Sequence, residues 1–265
     1  MGVWCAHRGT CIALVAWCSL APAQPPSEAD ATALIETARQ KARQYTQSLP
    51  DFECTEVVRR STDVARNDVQ PIPPDKLTIR LRYSEHKEEH KLMLINDRPT
   101  DRTFESLQGA IGTGEFGATL GAIFDPASET AFHWESWKTV RKDRIAVYTY
   151  IIDSEHSRYS LSTKVGGAVH QAVVAYRGEL EIDSETGEVP HFTYVADHLP
   201  KALALQSAAT TVDYDFAAIG GRDYLLPARS ETQMRSSEVY VKNRMEFTGY
   251  RKFSSESSIT FGDGK

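Results

Sequence analysis

The chain has 265 residues, 41% of them hydrophobic and 25% charged, and its 30 Lys and Arg against 36 Asp and Glu give a net charge of −6. This composition excludes wholesale disorder, a collagen-like repeat and a polytopic membrane protein, and the acidic balance argues against nucleic acid as a partner. The length suits one large domain or two small ones, either able to bury a substantial core.

Residues 1–23 read as a secretory signal peptide: Arg8, then an apolar run from Gly9 to Leu20, then Ala21-Pro22-Ala23 with small residues where a leader peptidase cuts. The run is shorter than the roughly 20 residues that span a bilayer, so no transmembrane span is expected in the mature chain. Trp17 before Cys18 speaks against lipid attachment. Cleavage removes Cys5, Cys11 and Cys18, leaves Cys54 without a disulfide partner, and makes the remainder one unit more negative. The expected division is residues 1–23 as leader, 24–253 as a single domain and 254–265 as a polar tail.

Ser27 and Asp30 open a helix, and Leu34, Ile35, Ala38, Ala42, Tyr45 and Leu49 fall on one side of it until Pro50 stops it. Phe52 to Arg60 reads as a strand, its Phe-Glu-Cys-Thr alternation making Cys54 a buried structural thiol. After a loop with Pro71, Pro73 and Pro74, Leu77, Ile79, Leu81 and Tyr83 alternate strictly with Thr78, Arg80, Arg82 and Ser84. Leu92 to Ile95 leads to the turn signal Asn96-Asp97. Between Thr103 and Ala127, Phe116, Leu120, Ile123 and Phe124 recur at helical spacing until Asp125-Pro126. Strands follow from Phe132 and over Arg144 to Asp153. Ala172 to Asp183 and Val189 to Val195 form a hairpin about Gly187, and Thr210 to Phe216 and Arg222 to Thr232 a second about Gly220-Gly221. Glu238 to Phe253 closes the series. One long helix and about eight to ten antiparallel strands predict an α+β, mainly β fold: a large curved antiparallel sheet, an open half-barrel, wrapped around the N-terminal helix.

Candidate chemistry is sparse. His86-Lys-Glu-Glu89-His90 matches a zinc-peptidase pattern that needs its histidines one helical turn apart, yet it falls between two strands, where a solvated hairpin tip is expected. Gly112-Thr-Gly114-Glu-Phe-Gly117 matches the dinucleotide fingerprint without the parallel βαβ unit that fingerprint requires, and Glu115 would meet the phosphate. Asp183 and Glu185 read as turn residues, and no nucleophile elbow occurs. No catalytic residue, cofactor or metal ligand is therefore assigned. The remaining signal is apolar: Leu34, Tyr45, Leu81, Phe116, Leu120, Phe124, Trp134 and Trp137 are the candidates to line a cavity for an acyl chain. Each methylene buried there contributes about 0.8 kcal/mol.

Gly178 through Val189, with its acid-turn-glycine hairpin, and Val212 through Phe216 with Gly220 through Pro227, ending Leu-Leu-Pro, resemble hairpins of the periplasmic lipoprotein-carrier superfamily. These are open half-barrels of the LolA, LolB and RseB type. Tyr45 through Arg60, Gly114 through Trp134 and Tyr250 through Phe261 resemble uncharacterised secreted bacterial members. The resemblance implies a half-barrel with a helix-plugged hydrophobic cavity that holds lipid or a lipidated protein in the periplasm. The chain departs from it in its extra length between Ile95 and Phe132. The expectation is an exported, non-enzymatic protein that binds a hydrophobic ligand or lipidated partner in the cell envelope. Its alternatives are an envelope protein-interaction or sensor module and a secreted metal-dependent hydrolase.

Overall fold

Ser27 starts the first helix as its sequence implies: its Oγ accepts from the Asp30 backbone N–H at 3.1 Å and donates to the Asp30 carboxylate at 2.7 Å. Helix α1 (Glu28–Ser48) then runs until the Leu49 N–H closes on the Tyr45 carbonyl ahead of Pro50. A computed structural model describes residues 24–64, 73–85, 87–103, 106–107, 116–165 and 167–253. The expected leader and polar tail, and the glycines at 112 and 114, lie outside the described residues.

Strands β1 (Phe52–Val64), β2 (Asp75–Ser84), β3 (Lys87–Ile95) and β4 (Arg98–Pro99) follow as a meander. The β3–β4 turn is Asn96-Asp97, both at positive φ (51° and 62°), the geometry a two-residue hairpin needs. Helix α2 (Ala118–Phe124) buries Leu120, Ile123 and Phe124. Next come β5 (Ala131–Val140), β6 (Asp143–Ile152), β7 (Ser160–Val165), β8 (Ala168–Val173), β9 (Ala175–Asp183) and β10 (His191–Asp197). Strands β11 (Leu205–Ile219), β12 (Arg222–Ser236) and β13 (Val239–Lys252) complete the order.

Eleven of these strands form one antiparallel sheet in the order β4-β3-β2-β1-β13-β12-β11-β10-β9-β6-β5, so β1 lies beside the last strand, and among the described residues β4 and β5 are the two edges, not paired with each other. The sheet is open. The strand number exceeds the expected eight to ten because Ala172 to Asp183 breaks at Val174 and because β7 and β8 form a separate two-stranded sheet. Alternation in β2 is as read: Leu77, Ile79, Leu81 and Tyr83 are buried, with Thr78, Arg80 and Arg82 on the other face.

The helix lies on the inner face of this sheet. Ala38 and Ala42 of α1 are buried with Leu120, Ile123 and Phe124 of α2 and with Tyr148, Leu180, Phe192 and Tyr214 from β6, β9, β10 and β11. Leu49, at the end of the helix, packs instead with Phe52, Leu77, Ile79, Leu81 and Phe247 from β1, β2 and β13. Tyr45 touches both clusters, so one helix is embraced by both halves of a single sheet. Each fully buried Leu, Ile or Phe contributes about 1.5–3 kcal/mol, and Cys54, the cysteine among the described residues, is free. Arg39 ties the two helices together, its Nε donating to the Phe124 carbonyl at the C-terminus of α2 (3.1 Å), where a cation also suits the helix dipole.

Two glycines fix the part of the sheet nearest the helix. Gly187, at φ 72°, turns the β9–β10 hairpin directly against Thr37 of α1, and a side chain there would meet Thr37. Gly178 lies under the Thr193 carbonyl and the Tyr150 ring, and the Tyr150 hydroxyl donates to that same carbonyl at 2.8 Å. No helix among the described residues is long and apolar enough to cross a membrane.

Candidate functional site

Residues 42, 45 and 49 recur at i, i+3 and i+7 along α1, so Ala42, Tyr45 and Leu49 present one continuous apolar strip. The last two turns of the helix run past two hairpin ends. One is the β9–β10 turn with Glu188 and Val189; the other is the β11–β12 tip with Phe216 and Arg222 to Leu225. Between them, floored by Leu120 of α2, is a groove of about 320 Å³, within the size range of small-molecule sites. Its lining is mixed: Ala42, Tyr45, Leu49, Leu120, Val189, Phe216 and Leu225 stand among Lys41, Gln44, Ser48, Glu188, Arg222 and Asp223.

Tyr45 is the central side chain. Its ring meets Tyr214 edge-on at 5.9 Å, and its hydroxyl is sealed inside with no hydrogen-bond partner among the described residues. Burial, reinforced by neighbouring Tyr214, pushes its pKa well above the ordinary tyrosine value, so it stays neutral. Phe216, two positions beyond the buried Tyr214, is 58% exposed at the rim.

Of the residues expected to line a cavity, Tyr45 and Leu120 meet in this groove. Leu34 and Trp137 lie elsewhere, in a more polar hollow of about 600 Å³ at the start of α1. There the Trp137 Nε1 donates to the Gln24 carbonyl at 2.9 Å, and the Arg144 guanidinium sits 3.8 Å over its ring. Trp134 packs edge-on to Trp137 at 6.2 Å and against the core. Leu81, Phe116 and Phe124 are core residues: Phe116 is enclosed by Phe52, Tyr83, Phe247 and Tyr250, and Phe124 stacks on Phe132 at 5.5 Å. Ala42, Leu49, Val189, Phe216 and Leu225 join the groove without having been expected. A signal existed in Val212-Asp-Tyr-Asp-Phe216, where the apolar alternation runs on past the last residue the helix can cover.

The chemical motifs are taken up by the fold. Glu89 and His90 are consecutive residues of β3 and face opposite sides, so they do not converge as a helical metal motif would; His86 lies outside the described residues. His90 points inward toward Glu56 (3.6 Å) and Glu88 (3.9 Å), and its burial lowers its pKa. Gly117 caps α2 at φ 96°. The Asp183 carboxylate accepts from the Glu185 and Thr186 backbone N–H groups at 2.9 and 2.8 Å, which makes it a turn-forming residue. On the outer face Glu179, Glu181 and His191 bring potential ligand atoms within 4.8 Å of one another. Lys138 already pairs with Glu181, and His191 bonds Asp213 at 2.6 Å, so that cluster is balanced by its own neighbours.

Fold and groove together define an open antiparallel half-barrel whose concave face holds one long helix and whose hairpin ends leave a groove of mixed lining beside it. No family model and no curated protein matches the chain. Among solved structures it is similar to a LolA superfamily protein from Nitrosomonas europaea, with 11% identity, 84% of this chain and 94% of that one covered, and a TM-score of 0.41. It is also similar to a domain described as an outer membrane lipoprotein-sorting protein from Vibrio parahaemolyticus, with 9% identity, 84% and 94% coverage and a TM-score of 0.40.

Proposed function

We propose that the protein is exported and binds a hydrophobic ligand, or the acyl group of a lipidated partner, in the cell envelope without catalysing a reaction. The observation that carries this reading is the groove between α1 and the β11–β12 tip, with Tyr45, Leu120, Val189 and Leu225 inside it and Phe216 uncovered at its rim. An acyl chain laid along this strip removes apolar surface from water on both partners, at about 0.8 kcal/mol per buried methylene. The polar groups of the groove's lining suit a headgroup that remains in water. The export signal and the resemblance of the hairpins to lipoprotein carriers support the same reading.

Lipid extraction of the natively purified protein, followed by mass spectrometry, tests it. The expected result is a co-purifying acyl-bearing molecule, together with saturable binding of a fluorescent fatty-acyl probe. An empty protein that also rejects acyl probes contradicts it, and a stable protein partner captured without lipid would favour an interaction module.

A further inference from the structure

We infer that the outer face of β13, β1, β2 and β3 is a docking surface for an anionic phospholipid membrane, a second site that does not rest on the ligand reading of the groove. The outer face carries charge across its whole width, and over β9 to β13 cross-strand neighbours alternate in sign. Glu181 stands opposite His191, His191 opposite Asp213, Asp213 opposite Arg229 and Arg229 opposite Glu246. The pattern then changes. Arg244 of β13 stands directly opposite Arg59 of β1, which stands directly opposite Lys76 of β2. Beyond Thr78 on the same face, Arg80 of β2 is opposite Lys91 of β3.

Like charges directly opposite each other on one face are destabilising. A chain with a net charge of −6 has carboxylates to spare, yet three cations adjoin in one cross-strand row here and two more face each other in a separate row nearby. Some are partly offset: Arg59 reaches Glu246 at 3.0 Å, Arg244 reaches Glu231 at 2.9 Å and Lys76 reaches Asp97 at 2.6 Å. Arg80 and Lys91 have no ion-pair partner among the described residues. Arg244 and Arg59 keep 64% and 51% of their side chains exposed. Arg59, Lys76, Lys242 and Arg244, together with Arg60 and the Asp75 carboxylate it pairs with, line a hollow of about 350 Å³, wide enough for a phosphate-bearing headgroup.

Strands spaced about 4.8 Å apart spread these charges over a sheet face, which matches a plane of headgroups better than one enclosed anion. Juxtamembrane cations act on an anionic leaflet within a Debye length, about 8 Å at physiological salt. The inner-face groove and its rim aromatic Phe216 are not part of this surface, so docking and ligand binding can be separated by mutation.

The test is sedimentation of the purified protein with vesicles of phosphatidylcholine alone or with added phosphatidylglycerol, at about 0.1 M salt and again at about 0.5 M. Binding is expected only to the anionic vesicles, lost at the higher salt, and weakened at least about tenfold in the Arg59→Gln, Lys76→Gln, Arg244→Gln triple variant. A second variant, Arg80→Gln with Lys91→Gln, should weaken it independently and covers the case in which the first folds poorly. Phe216→Asp should leave vesicle binding unchanged even where it abolishes acyl-probe binding. Equal binding to both vesicle types, undiminished binding by both folded variants, or no binding at all overturns the proposal. Release by millimolar inorganic phosphate at matched ionic strength overturns it in favour of a free-phosphate site.

Discussion

Cys54 is 3% exposed on the inner face of β1, and burial together with the nearby charge of Glu56 pushes its thiol pKa up to about 12. A thiol so placed carries almost no thiolate near neutral pH and cannot act as a nucleophile. The folded protein should therefore resist a thiol-exchange reagent at about pH 8 and react promptly in denaturant, and fast labelling of the native state would contradict this burial. His191 and Asp213 form the most clearly coupled pair: the Asp213 hydrogen bond raises the histidine against the opposing effect of burial, and the same bond lowers the aspartate. The histidine's contribution to stability is full below its unfolded value of 6.5 and is lost as pH rises through its higher folded value. The aspartate's is present above its unfolded value of 3.8 and is lost as pH falls through its lower folded value. Asp213→Asn should thus lower the His191 midpoint in an NMR titration and cost more thermal stability near about pH 5.5 than near about pH 9. An unchanged midpoint would contradict the pairing.

Helix α1 depends on its cap and on the hairpin braced against it. Replacing Ser27 with Ala removes the bond to the Asp30 N–H and should cost about 1 kcal/mol in denaturant unfolding. Gly178→Ala should cost more, about 2–3 kcal/mol, because the added methyl collides with the Thr193 backbone, which a rotamer change cannot relieve. A melting temperature equal to wild type would show that β9 and β10 are not so closely apposed. These elements also show what the sequence discloses. The period of α1, the strict alternation of β2 and the glycine turns at 187 and 220–221 identify themselves, because burial on one side forces a pattern. Strands β7 and β8 escaped notice because both their faces are largely exposed, with Val169 and Val173 uncovered, so no burial pattern is imposed on them. The two-residue β4 is too short to carry any period.

At the scale of the molecule, the decisive contact is between the first strand and the last, β1 against β13, which brings Phe52 opposite Lys252 and joins eleven of the strands into one sheet. An open sheet holding a helix was legible from the meander and the amphipathic helix. The groove was legible only in Tyr45 and Leu120. The walls that face α1 belong to hairpin tips more than a hundred residues beyond the helix, and no local pattern reveals which tips the sheet will carry past it. Phe124 and Phe116 have the same apolar character as Leu120 but are enclosed by neighbouring rings, a distinction made by packing and not by composition. The claim that matters most is that this groove, and not apolar surface in general, holds the ligand. Titration of a fluorescent fatty-acyl probe into Phe216→Asp, beside Val169→Asp as a control at a still more exposed apolar site away from the groove, tests it most directly. The account predicts affinity at least about tenfold weaker in Phe216→Asp and unchanged in Val169→Asp. Equal affinity in both variants and wild type would contradict it.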